Sequence, residues 1–251
     1  DGPHGGIRNP GGSDEQLLIF NFTNPPAMLD NIRQSALELV LAAHLLDDVN
    51  FDATGCEGSG VEAARFDTTE LTLMGHSMGA TIAPLALAVE PKFRGAILSG
   101  AGGSWIANVV HKESPLAVRP IAELLLRISG RHQLHEHDPS LMLLQWAGES
   151  ADPPVFGDAI RDNGVHVLML QGIVDTYILP PMANATSVSL GLDLGGPSLD
   201  AAEPRLDPFR SLESLLPLSL GAHTSMPAAG NQYVGGHSDS LFHSFWKWRL
   251  S

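Results

Sequence analysis

Gly75-His76-Ser77-Met78-Gly79 sets a serine between two glycines, at the end of the apolar run Leu71–Met74 and the start of the Ala-, Leu- and Ile-rich stretch Ala80–Val89. A serine in the G-x-S-x-G setting, at a sharp turn from strand to helix, stands clear of the sheet and is placed for nucleophilic attack. The tight turn predicts that glycine is required at both Gly75 and Gly79, where a Cβ would clash. The run before the turn predicts a short strand buried on both faces. The run after it predicts a buried helix in which Pro84 makes a kink rather than a stop. A glycine-rich turn with an incidental serine is the alternative. The flanking strand and helix patterns favour the elbow.

A serine hydroxyl needs a base to take its proton, and a histidine base needs a carboxylate to fix its tautomer. Gln171-Gly172-Ile173-Val174-Asp175 puts a carboxylate just past the apolar run Val165–Leu170. Asp175 is therefore the expected orienting acid, the alternative being a solvated loop aspartate. Gln232-Tyr233-Val234-Gly235-Gly236-His237 puts a histidine on a glycine-flanked loop ahead of an aromatic tail, and His237 is the expected base. His243, beside Phe242 and Phe245, reads as a packed helical histidine. His223 reads as a loop residue with no flanking strand. The chain order Ser, Asp, His is the one expected where the serine sits on such an elbow.

Two other clusters could bind metal. Asp48, Asn50 and Asp52 alternate oxygen ligands as a calcium loop does, but Ala53 replaces the needed glycine and Ser59 stands where a closing glutamate belongs. His132, His135, Glu136, His137 and Asp138 could suit zinc or nickel, or form a polar surface. No metal or other cofactor is expected for the chemistry itself, with a structural calcium at the first cluster the weaker option.

The elements that must position these residues follow from the hydrophobic pattern. Leu17-Leu18-Ile19-Phe20 reads as a strand, and Asn24-Pro25-Pro26 as the capped start of a helix whose apolar face carries Ile32, Ala36, Leu39, Val40, Ala43 and Leu46. Residues Asp47 to Gly60 read as a polar loop. Gly95–Leu98 and Val165–Leu170 read as buried strands, so strand and helix alternate. That pattern predicts an α/β fold with a mostly parallel sheet whose ligands lie beyond the carboxyl ends of the strands. Residues 104–163 are far longer than a crossover needs and predict an inserted helical cap. Its stretches Ile121–Leu126 and Leu141–Trp146 are expected to line an apolar cleft. A second long connection spans 195–230, and Ser238–Arg249 reads as a closing helix.

The 251 residues, 43% of them hydrophobic, are enough for one domain with insertions. A net charge of −14 and scarce lysine argue against nucleic acid as a partner. The single cysteine, Cys56, excludes an intrachain disulfide and leaves the compartment open. The first residues do not look like a signal peptide, and an initiator methionine is lacking. That reads as a trimmed product, with an exported or cell-surface bacterial location favoured over the cytoplasm. The N-x-T sequences at Asn21 and Asn184 read as chance.

Taken together, Gly75–Gly79, Gln171–Asp175 and Gly235–His237 resemble the motifs of α/β-hydrolase-fold serine esterases and lipases, from Leu17 to the end of the chain, with a flavour of the bacterial lipase-like enzymes. The resemblance implies an ester hydrolase that works through an acyl-enzyme on a small-molecule or lipid ester, with the Met78 N–H as an oxyanion donor. It also implies strands ahead of Leu17 that this chain does not supply, so a separate N-terminal fragment is expected to complete the sheet. Gly5 or Gly6, in His4-Gly5-Gly6, is the expected second oxyanion donor, unless that donor lies on the missing sequence. A non-catalytic binding protein on the same scaffold, and a serine amidase or peptidase, are the alternatives.

Overall fold

The computed structural model describes residues 2–194 except 22, 129, 131 and 173, together with Pro204 and His223–Thr224. The architecture is α/β. Near the N-terminus, α1 (Glu15–Ile19) is a single helical turn, not the expected strand. Asp14 starts it, accepting the Leu18 N–H through its carbonyl at 3.1 Å and the Leu17 N–H through its side chain at 3.4 Å. Four consecutive apolar residues carry no period, and here the capping carboxylate decides for helix. The next helix, α2 (Pro25–Leu45), begins as expected: Asn24 accepts the Ala27 N–H, and proline occupies the first turn, where its missing N–H does no harm. Its buried face includes Met28, Ile32, Ala36 and Ala43.

The segment read as a polar loop contains β1 (Asn50–Asp52), which pairs antiparallel with β2 (Ala63–Arg65) in a separate exposed ribbon. An edge-to-face contact between Phe51 and Phe66, with centroids 5.1 Å apart, ties its two strands.

The main sheet runs in the order β3 (Leu71–His76), β4 (Phe93–Ser99), β5 (His166–Leu170), β7 (His223–Thr224), β6 (Asp193–Leu194). The first three strands are parallel, and β7 and β6 add antiparallel pairs. His223 therefore belongs to a strand, opposite Met169 and Leu194, and not to the strandless loop expected. Among the described residues β3 is the sheet edge. Thr72, Met74 and His76 are exposed, Met74 by 44%, so the expected two-sided burial does not hold. Periodicity reports what a strand could bury, while its neighbours decide what it does.

Behind β3 lies α3 (Met78–Val89), with Ala80, Ile82, Ala83, Leu85, Ala86 and Leu87 buried. It packs on α2, on β3 and on α7 (Gly157–Asp162). Pro84 sits inside the helix without ending it. Full burial of each large side chain here contributes about 1.5–3 kcal/mol.

Between β4 and β5 the chain forms α4 (Trp105–His111), α5 (Val118–Leu125), α6 (Pro139–Gly148) and α7. The first three share a small core of Val109, Val110, Leu134 and Leu141, with Val118, Ala122 and Leu144 packed against it. This segment is helical, but the stretches Ile121–Leu126 and Leu141–Trp146 do not line the cleft beside Ser77 as expected. Leu124, Leu143 and Trp146 are 76%, 62% and 72% exposed. After β5, α8 (Pro180–Ser189) packs on the 3-10 turn Pro153–Phe156 and on α4 and α7. Asn184 is buried within it, which leaves its N-x-T sequence inaccessible to a glycan.

The two glycines of the elbow are not equivalent. A Cβ on Gly75 would lie 2.6 Å from Gly79 O and 2.8 Å from Ala80 Cα, both rigid backbone atoms. A Cβ on Gly79 would meet nothing within 4 Å, so only the first glycine is required by space. Gly75→Ala is expected to lower stability by about 2 kcal/mol or more, while Gly79→Ala changes it by less than about 1 kcal/mol. Urea unfolding midpoints of the two variants measure the contrast.

Candidate functional site

Ser77 has φ 53° and ψ −119°, a conformation that L-residues rarely adopt. Holding it there costs on the order of 1–3 kcal/mol. Several contacts impose it. The Ser77 N–H donates to Ser99 O at 2.8 Å, and the Ser77 carbonyl accepts the Thr81 N–H at 3.0 Å. His76 is paired in register with Ser99, its Nδ1 3.3 Å from the Ser99 hydroxyl. Gly75 lets α3 start against the strand. The first N–H groups of a helix have no intrahelical acceptor, and Met78 is the first residue of α3.

Ser77 and Met78 line a cleft of about 120 Å³ whose other walls include Leu17 and Phe20, the loop Gly102–Ser104, Trp105 and Lys112 of the α4 region, Asp152, and Tyr177 and Ile178. The last two belong to the loop of Asp175. That carboxylate is 3% exposed, and its Oδ1 accepts the N–H groups of Tyr177 at 2.8 Å and Ile178 at 3.0 Å. These bonds fix its rotamer just beyond β5. The structure thus brings Ser77, Met78 and the Asp175 loop to one cleft. His237 and His243 lie outside the described residues.

Gly5 and Gly6 do not supply an oxyanion donor in this arrangement. The Gly5 N–H donates to Gly2 O at 3.0 Å and the Gly6 N–H to Glu15 Oε1 at 2.8 Å, and neither residue lines the cleft. The 3-10 turn from Gly6 to Arg8 engages the carbonyls of the same two residues, Gly5 O accepting the Arg8 N–H and Gly6 O the Asn9 N–H.

The metal candidates are engaged locally. Asp52 Oδ1 accepts from the N–H and hydroxyl of Thr54, and Asn50 donates to Asp48 O at 3.2 Å. Asp138 caps α6 through Ser140 N and pairs with His132 at 2.9 Å, which holds its carboxyl below the usual range. Among the described residues no group of three or more His, Cys, Asp or Glu is placed to hold a metal ion.

Two charged residues of the cleft escaped the motif reading. Asp152 is buried and joins the start of α4 to α6: Oδ1 accepts Ser104 N at 2.8 Å, Oδ2 accepts Gln145 Nε2 at 2.6 Å, and the Trp105 backbone N–H also reaches it. Burial pushes its carboxyl above the usual aspartate value, against those hydrogen bonds. Ser104 itself has φ 70° and caps α4 by accepting the Ala107 N–H. Lys112 follows α4, and its Nζ donates to Tyr177 O at 2.7 Å. Burial lowers its pKa from the ordinary lysine value, opposed by the nearby charge of Asp175. The only signal in the sequence was rarity, since Lys112 is one of three lysines in the chain.

No family model matches the chain, and no curated protein matches it. Among solved structures it is similar to acetyl xylan esterase 1 from a Thermoanaerobacterium species, at 18% identity and a TM-score of 0.44, over 62% of this chain and 42% of that one. It is also similar to a puromycin-hydrolyzing peptidase from Mycobacterium tuberculosis, at 18% identity and a TM-score of 0.39, over 63% of this chain and 19% of that one. The chain thus spans less than half the length of either. Likeness this partial leaves function to be argued from the chain's own residues.

Replacing Asp152 by Ala leaves two backbone N–H groups and the Gln145 amide without their acceptor. Asp152→Ala is expected to destabilise the protein by roughly 3 kcal/mol. Differential scanning calorimetry of the variant beside wild type checks this.

Proposed function

We propose that this chain is a serine hydrolase of the α/β-hydrolase fold, acting on carboxylic esters through an acyl-enzyme. The observation that carries the reading is the conformation of Ser77: φ 53° at a strand-to-helix turn, on the wall of a cleft, with a buried carboxylate held beyond β5, two strands along the same parallel sheet. A backbone strained in this way at the one serine of a cleft-lining elbow is what a positioned nucleophile requires.

In the proposed reaction the Ser77 hydroxyl oxygen attacks the ester carbonyl carbon as His237 takes its proton. The Met78 N–H donates to the oxyanion. Collapse of the tetrahedral intermediate breaks the bond to the alcohol, and His237 returns the proton to that leaving group. Water then adds to the acyl-enzyme by the same route and regenerates Ser77. Asp175 holds the His237 tautomer, its own rotamer fixed by the Tyr177 and Ile178 N–H groups.

The cleft walls of Leu17, Phe20, Trp105 and Ile178 support an acyl ester as substrate. Amide hydrolysis would use the same groups. The open outer edge of β3, with Met74 exposed, supports the further reading that additional strand from outside the described residues pairs there.

Ester hydrolysis followed by pH-stat tests the proposal. Ser77→Ala is expected to lose turnover to background, and Asp175→Asn to lower kcat by about 10³-fold or more, near the loss seen when a triad carboxylate is amidated. Wild-type kcat/KM should fall as pH drops through about 6.5, where a histidine base gains its proton. Normal turnover by Ser77→Ala would refute the assignment.

A further inference from the structure

Among the residues lining the cleft beside Ser77, charge is carried by Lys112 and Asp152. The two are in opposite situations. Both Asp152 oxygens are taken by Ser104 N and Gln145 Nε2, and burial favours its neutral form. Lys112 has three N–H donors, and Tyr177 O is the acceptor recorded for them among the described residues. Asp175, the charge nearest to Lys112, has Oδ1 turned to the Tyr177 and Ile178 N–H groups. The Asp152 oxygens are thus engaged by protein donors, while the Lys112 ammonium brings donors to the cleft in a protein whose net charge is −14.

Placing an ammonium where burial disfavours its charge costs free energy that a carbonyl strap alone does not require. A neutral side chain could make the same bond to Tyr177 O. Asn108 lies one helical turn earlier on α4, its carbonyl accepting the Lys112 N–H at 3.1 Å, and also lines the cleft. An amide and an ammonium thus line the same cleft.

The geometry points to an ester whose acyl or alcohol part carries a carboxylate, received by Lys112 with Asn108 beside it. This substrate class rests on the hydrolase reading of Ser77. It differs from the neutral acyl ester that the apolar walls alone would select, because a carboxylate in this cleft meets a partly desolvated cation, where a charge-assisted hydrogen bond is strong.

The test uses monomethyl esters of succinate, glutarate and adipate, each beside the methyl alkanoate in which a methyl group replaces the free carboxylate. Wild type should favour the anionic ester by about tenfold or more in kcat/KM at the best length. Lys112→Met should abolish that ratio, and Lys112→Arg should restore most of it. A wild type without the preference, or a ratio unchanged in Lys112→Met, overturns the inference while leaving the hydrolase reading intact. So does an equal loss on both esters, which would make Lys112 a strap for the Asp175 loop and nothing more. Should Lys112→Met fail to fold, inhibition of wild type decides: glutaramate must inhibit more strongly than pentanamide, which has a methyl group in place of the carboxylate, and equal inhibition overturns the inference. Absence of Ser77-dependent hydrolysis of every ester refutes the hydrolase reading, and the inference with it.

Discussion

The close approach of two backbones at Gly75 governs the rest of the site. A Cβ there would sit 2.6 Å from a carbonyl oxygen of the following helix. Because no Cβ is present, α3 can begin directly against the end of β3, and the residue between them must take up the turn. That residue is Ser77, and its positive φ follows from the packing around it. The strain is held by the hydrogen bond to Ser99 O, by the register of β3 on β4, and by the burial of α3 between α2, α7 and the sheet. An extensive apolar core thus fixes one hydroxyl at the rim of a cleft.

Residues 104–163 are held together by a buried carboxylate and by a small core of their own. Asp152 receives the first amides of α4 and the side chain of Gln145, so the start of α4 and the end of α6 meet at one buried carboxylate. A Cβ on Gly103 would lie 2.1 Å from Pro154 Cδ, which shows how closely the loop after β4 lies against that segment. The consequence for the cleft is compositional. From residues 104–163 the cleft takes Trp105, Asn108, Lys112, Val118 and Asp152 among its lining, while Leu124, Leu143 and Trp146 stay exposed to solvent.

Much of this frame could be read from residue patterns. β3, β4 and β5 lie where apolar runs bounded by glycine placed them, and α2 begins at its asparagine cap, because these signals are local. The errors share a physical origin in neighbours distant in sequence. Leu17–Phe20 is too short to show a period, and Asp14 turned it into a helix. β3 looked buried on both faces because its residues are apolar, yet burial belongs to the sheet order, and β3 is an edge among the described residues. Gly79 fits a motif, but only Gly75 faces a backbone. Gly5 and Gly6 matched a short pattern whose amides the turn and Glu15 had already engaged. Lys112 and Asp152 carry no motif at all, and only the folded cap shows that they share a cleft with Ser77.

The central claim is that Ser77 is an activated nucleophile. Treatment of the folded protein with a fluorophosphonate, read by intact mass and peptide mapping, tests it most directly. One adduct per chain, located on the peptide containing Ser77 and removed by prior unfolding, is the expected result. A folded protein that remains unlabelled, or that is labelled at another serine, would contradict it.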